Sequence, residues 1–257
     1  MKSLIVVLLL CPASLLAQSA FDGTWKVNLD EVHFPRRADV YVIQDGTYTC
    51  DTCVPRLKIK ADGQDHPVAG STYFESASVR VLDDRDLEIT EKEKGKVVYS
   101  ENDGLSTDGN QLTEKITDTA SPNGEPVTAE EIFTRVSAAP AGANAISGGW
   151  QMEKVESEKG MTVTYHSIPD GLEASNRHGE GYSAKFDGKE YPIQGDPAHN
   201  TVSLKRVNAH TIVETDREDG AIHYQLRMTI SRDGKSMLVQ ENDHERGTKL
   251  SYVMEKQ

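Results

Sequence analysis

The chain has 257 residues, with 41 acidic side chains against 28 basic ones and a formal net charge of −13. An acidic surface repels phosphate backbones, which excludes nucleic acid as an expected partner; the charge reads as solubility ahead of steering for cationic ligands. The length leaves room for two domains of ordinary size.

Met1 to Ala20 reads as a secretory signal peptide. Lys2 gives a positive start, Leu4 to Leu10 form an apolar run, and Ala17, Ser19 and Ala20 supply small residues for cleavage. The run is too short to span a bilayer, and no later stretch approaches the ~20 apolar residues of a membrane helix. Leu10 is too bulky before Cys11 for a lipoprotein signal. Cleavage between Ala17 and Ala20 removes Lys2 and takes the net charge to −14. The mature chain is therefore expected in the periplasm or outside the cell.

From Gly23 onward the sequence contains itself twice. Gly23, Trp25, Asp62, Gly63, Pro67, Thr90, Tyr99 and Asp108 recur as Gly148, Trp150, Asp187, Gly188, Pro192, Thr215, Tyr224 and Asp233, each 125 residues later. No gap is needed from Gly23 to Asp118. Self-similarity on this scale indicates two copies of one domain rather than a solenoid. Within each copy, Asp-Gly pairs such as Asp45-Gly46, Asp108-Gly109 and Asp219-Gly220 mark hairpin turns, because Asp tolerates positive φ and Gly needs no Cβ clearance. Runs such as Val40 to Ile43, Leu57 to Lys60, Ser78 to Val81, Thr201 to Lys205 and Gln225 to Ile230 are short and strand-like, most with apolar residues at period two. No helix-length 3.6-residue stripe occurs; Thr128 to Phe133 would hold one turn. The segment Ser137 to Ile146 is small and contains Pro and Gly, as a linker does. The expected layout is a signal peptide over 1–20, a first domain over 21–136, a linker over 137–146 and a second domain over 147–257. The fold class is all-β: two tandem antiparallel up-and-down β-barrels related by internal duplication, closed so that no sheet edge is left exposed.

Each copy opens with Gly-x-Trp, at Gly23-Thr24-Trp25 and Gly148-Gly149-Trp150. This resembles the lipocalin and fatty-acid-binding superfamily, whose Gly-x-Trp starts the first strand. The resemblance implies that the Trp closes one end of a barrel and that a basic residue of the last strand packs over it. Arg135 and Lys256 stand at the ends of the two repeats, and a cation on an indole face contributes about 0.5–2 kcal/mol. The phrases at 23–28, 50–55, 60–65 and 145–150 are similar to those of exported bacterial lipocalin-like proteins of unassigned function. That likeness implies a fold and a compartment and no activity.

Cys50 and Cys53 are the only cysteines after the leader. In an oxidising compartment they form a structural disulfide or, alternatively, a thiol-exchange pair; Val54-Pro55 before a strand is unlike the helix start that activates redox thiols. At 125 residues their counterparts are Ser175 and His178. Eight histidines lack metalloprotease spacing, although His178 with Glu180 and His199 with Asp196 would contribute to a metal site if loops converge. The run Asp83 to Asp86 lacks the calcium-loop order and reads as a solvated hairpin end. No Gly-x-Ser-x-Gly elbow is present. Glu-rich strands would set two carboxylates across a barrel mouth, but their pairing cannot be read from one strand. Tyr41, Tyr99, Tyr165, Tyr224 and Phe74 are core residues or cavity lining. No cofactor, metal or catalytic set is implied. A strand count near eight admits either a filled interior or one small ligand. The expectation is an exported binding module for a small apolar or amphipathic ligand. The alternative is a structural or interaction module with filled barrels, and a thiol-redox or hydrolytic enzyme ranks below both. The sequence names no protein partner.

Overall fold

The structure, a computed structural model, describes residues 19–157 and 161–257. The expected leader, with Cys11, lies outside the described residues except for Ser19 and Ala20. The strands in chain order are β1 (Gly23–His33), β2 (Asp39–Gln44), β3 (Thr47–Cys50), β4 (Leu57–Lys60), β5 (His66–Pro67), β6 (Ser76–Val81), β7 (Asp86–Glu93), β8 (Lys96–Leu105), β9 (Gln111–Asp118), β10 (Val127–Ser137), β11 (Gly148–Glu156), β12 (Thr162–Ile168), β13 (Gly171–Asn176), β14 (Gly181–Lys185), β15 (Tyr191–Pro192), β16 (Thr201–Asn208), β17 (Thr211–Glu218), β18 (Ala221–Ile230), β19 (Ser236–Asp243) and β20 (Thr248–Lys256). Among the described residues there is no helix, and so none long and apolar enough to cross a membrane. Thr128 to Phe133, which the sequence pattern assigns to one helical turn, lies inside β10, where its alternate side chains Ala129, Glu131 and Phe133 face one interior.

The strands form two antiparallel ten-stranded sheets, each nearly closed into a barrel. The first runs β4-β3-β2-β11-β10-β9-β8-β7-β6-β5, the second β14-β13-β12-β1-β20-β19-β18-β17-β16-β15. Single bridges, Asp62 to Arg80 and Gly181 to Gln194, draw the sheet ends together. Turn chemistry follows the sequence at Asp45-Gly46 and Asp219-Gly220, where both residues of each pair have positive φ, as a two-residue hairpin with right-handed twist requires.

The sheets do not follow the division at 137–146. The chain starts in the second barrel with β1, crosses over at 34–38, builds the whole first barrel from β2 to β11, and returns to the second at β12. The first barrel is thus residues 39–156, and the second joins 23–33 to 162–256. The cause is local: β11 follows β10 in sequence and pairs with it antiparallel, filling the position beside β2. The N-terminal β1 takes the matching position between β12 and β20. The segment 137–146 therefore joins two strands of one barrel, and its Ile146 is fully buried in that barrel's core.

The exchange sets the two floors. Trp25 and Trp150 are fully buried, each in the core of the barrel built from the other repeat. Trp25 Nε1 donates to Phe21 O at 2.8 Å, and Trp150 Nε1 donates to Ile146 O at 2.9 Å. Over Trp150 lies the Arg135 guanidinium, 4.1 Å from the ring centroid; over Trp25 lies Lys256 Nζ at 5.3 Å. The cation of each repeat therefore covers the indole of the other. Arg135 also donates to the carbonyls of Gly109, Ser147 and Ala145 at 2.6–2.7 Å. Gly148 has φ +136°, and a Cβ there would meet Ser137 O at 2.5 Å and Arg135 Nη1 at 2.7 Å. The glycine of Gly-x-Trp is what lets the basic side chain close over the ring.

The repeat register also shifts locally. Gly148 pairs with Tyr41 and Gly23 with Tyr165, so these tyrosines are equivalent at 124 residues, not 125. Opposite them stand Cys50 and Ala174. The counterpart of Cys50 is thus the buried Ala174, and Ser175 points outward. The register returns to 125 by β4 and β14, where Ile59 and Ala184 oppose Tyr48 and Leu172.

Removing a buried Trp costs about 3–5 kcal/mol. In Trp25→Ala this loss should fall on the second barrel. Hydrogen exchange is expected to quicken in β12 and β20 while β6 to β9 keep their protection. Quickening confined to residues 39–137 would contradict the nested topology.

Candidate functional site

Ten strands give each barrel a wider bore than the eight expected from sequence. The first barrel uses that room for a cavity of about 610 Å3, within the 300–1,000 Å3 typical of small-molecule sites. Its aromatic wall includes Tyr41, Tyr48, Tyr99, Phe74 and Phe133. Tyr41 and Tyr48 lie with ring centroids 6.1 Å apart. The disulfide Cys50–Cys53, which closes four residues between β3 and β4, lines the same space together with Val54 and Pro55.

What distinguishes this interior is its charge. Asp103 of β8 pairs directly with Glu114 of β9, and Glu114 with Glu131 of β10, so three carboxylates sit in one cross-strand row facing inward. Like charges directly opposite destabilise a sheet. Glu101 joins them two residues along β8. One carboxylate oxygen from each of Glu101, Asp103 and Glu114 lies within 4.8 Å of the others. Tyr41 Oη donates to Glu114 Oε1 at 2.9 Å, and Tyr99 Oη donates to Glu101. Asp103 is only 3% exposed, yet its Oδ1 has no hydrogen-bond partner. Asp39, Glu91 and Asp118 line the same cavity, and the one arginine among the lining residues is Arg246, from the connection between β19 and β20 of the second barrel.

Burial is the first cause of the raised carboxyl pKa values here, and for Asp103, Glu114, Glu91 and Glu131 neighbouring negative charge is the second. Asp103 stands well above the usual carboxylate range through burial, then through Glu101 and Glu114. Glu114 is raised likewise by burial, Glu101 and Glu131, against the Tyr41 hydrogen bond. Glu101 is raised by burial, against hydrogen bonds from Tyr99 and Asp103. Nearer the mouth, burial followed by Glu101 and Asp118 lifts Glu91 to about 7. Burial followed by Glu101 and Asp39 lifts Glu131 to about 7, with Arg246 opposing. A cavity with this lining offers hydrogen-bond acceptors, and carboxyls that can give up protons to match a cation that enters.

The second barrel is differently filled. At 125 residues the counterparts of Glu101, Asp103 and Glu114 are Leu226, Met228 and Val239, and Met228 and Val239 are about 1% exposed in its core. Its own carboxylates are placed elsewhere. Glu214 accepts from Tyr182 and is raised to about 7 by burial. Asp216 is raised to about 8 by burial and then by Glu214.

Of the aromatic residues singled out from sequence, Tyr41, Tyr99 and Phe74 meet in the first cavity. Tyr165 lies in the other core with Oη 3.4 Å from Met228 Sδ, and Tyr224 stacks on His223 at 4.1 Å. Glu180 and Asp196 serve their own loops. Asn176, whose side chain reaches Glu180, accepts from the His178 and Glu180 amides, and the Asp196 carboxylate accepts from Ala198 and Asn200. The Asn176 bonds hold the loop between β13 and β14, the counterpart of the loop that the disulfide holds in the first barrel, and the Asp196 bonds hold the connection between β15 and β16. Asp83 accepts from the Arg85 and Asp86 amides, a plain hairpin end. His223, which carries no sequence signal, lies 3.5 Å from Glu218 and 3.1 Å from Glu245. The deep carboxylates carry none within their own strands either. The signal that finds them is a comparison of the two copies, which sets acid against Leu, Met and Val at inward positions.

Comparison with protein-family models, with curated proteins and with solved structures returns no match.

The pKa directions fix a stability trend. Glu91, Glu131, Glu214 and Asp216 hold their protons more tightly folded than unfolded. The stability this contributes is full below the unfolded pKa and is lost as pH rises through about 7 to 8. Asp62 and Asp108, whose pKa values are lowered by hydrogen bonds, titrate below that window. The unliganded protein should therefore melt about 5–10 °C higher at pH 5 than at pH 8, and Glu91→Gln with Glu131→Gln should narrow the gap. Calorimetry showing equal or higher melting at pH 8 would overturn this.

Proposed function

We propose that the protein is an exported, lipocalin-like binding protein whose first barrel holds one small amphipathic organic ligand, with the second barrel as a mainly structural companion. The observation that carries this is the cavity of about 610 Å3 inside the first barrel, walled by both aromatic rings and hydrogen-bond acceptors. A barrel kept only for shape would fill that volume with side chains, as native packing density demands. The second barrel sets Leu226, Met228 and Val239 where the first has carboxylates. The leader-like first twenty residues and the disulfide agree with work outside the cytoplasm. No arrangement of nucleophile, base and orienting group accompanies the cavity among the described residues, so binding is the favoured reading over hydrolysis.

The test uses N-phenyl-1-naphthylamine, a neutral dye that brightens in apolar surroundings. It should bind the full chain at one site. Ala129→Trp, which places an indole into the cavity from β10, should weaken that binding more than tenfold while the far-ultraviolet dichroism stays native. Should the variant misfold, Val127→Trp makes the same test nearer the end of the strand. Dye binding that is absent, or unchanged when the cavity is filled, would contradict the reading.

A further inference from the structure

We propose that Glu101, Asp103 and Glu114 form the receptor for a protonated amine, so that the ligand of the first barrel is a small organic cation whose ammonium is held at this trio and whose carbon skeleton lies along the aromatic wall. This rests on the binding reading above and adds the chemical class of the ligand.

Three observations point the same way. The first is Asp103, buried almost completely against Glu101 and Glu114, whose Oδ1 has no hydrogen-bond partner. Buried acceptors are rarely left unpaired, and each such case calls for a missing donor. The second is the row itself. Asp103, Glu114 and Glu131 oppose one another on adjacent strands, and the second copy shows that the same fold accepts Met228 and Val239 at the first two of these positions. The barrel therefore does not require carboxylates there, and their presence is explained by something they bind. The third is the shape of the space. Three carboxylate oxygens within 4.8 Å suit either a bare divalent ion or the three N–H donors of a primary ammonium. A bare ion would leave the ring-walled volume of about 610 Å3 without purpose. An amine with an apolar body uses both, its carbon chain lying against rings such as Tyr41 and Tyr48. Asp39, Glu91, Asp118 and Glu131 extend the negative lining toward the mouth, opposed by Arg246 alone among the lining residues.

Titration calorimetry on the full chain at neutral pH separates the outcomes, with hexylamine, hexanol, hexanoate and calcium chloride as titrants. Hexylamine is expected to bind at one site at least tenfold more tightly than hexanol, and hexanoate more weakly than either. Asp103→Asn with Glu114→Gln should remove at least tenfold of the hexylamine affinity and abolish the preference for hexylamine over hexanol. Hexanol bound as tightly as hexylamine would overturn the amine receptor and leave the binding reading standing. Calcium binding at one site, lost in the same variant and without an amine preference, would replace it with a metal site. Failure of all four titrants would overturn both readings.

Discussion

A closed sheet whose interior carries opposed carboxylates must discharge them or match them. Asp103, Glu114 and Glu131 face one another across three adjacent strands with Glu101 beside them, and desolvation dominates the energetics of each. Two of the four accept a tyrosine hydroxyl, which satisfies an acceptor without supplying charge. Raised carboxyl pKa values favour neutralising such a row with protons, and a cation would do it instead. The low dielectric that penalises an unmatched charge here also strengthens its attraction to a cation placed beside it.

That logic needs a floor that keeps water out and a wall that keeps its shape. Each floor is a buried Trp capped by a cation from the last strand of its barrel's own repeat, with a glycine whose missing Cβ leaves room for the cation. Because the Gly-x-Trp strands are exchanged between repeats, each floor is assembled from both halves of the sequence. The barrels also touch beyond the crossings. Thr72 donates to Glu218, Asn200 donates to Tyr73, and Arg177 pairs with Glu125. Arg246 brings a charge of the second barrel to the first cavity. The second barrel thus supports the first and contributes to its electrostatics.

Period-two alternation and Asp-Gly turns make the strands and the duplication legible in the sequence, because both are local consequences of side-chain direction and backbone φ. The disulfide partners are legible by count and the two tryptophans by motif. Strand exchange is not, since β1 and β11 carry the same Gly-x-Trp and either satisfies the gap beside β2 or β12. The one-residue shift that sets Cys50 against Ala174 is hidden by matching Asp-Gly pairs, although the second hairpin turns at Pro169-Asp170, one residue before its Asp-Gly pair. The carboxylate row is hidden for a different reason. Each acid looks like an ordinary solvated strand residue until cross-strand register places it opposite another acid inside the barrel.

The most direct test of the central claim is to locate the nitrogen. A crystal of the full chain soaked with 6-bromohexylamine reports the bromine by anomalous scattering and the chain by ordinary density. The account predicts a bromine peak along the aromatic wall of the first barrel, with the amine nitrogen within hydrogen-bond distance of Asp103 and at least one of Glu101 and Glu114. A ligand lying with its bromine at the trio and its nitrogen at the mouth, or bound only in the second barrel, would contradict it.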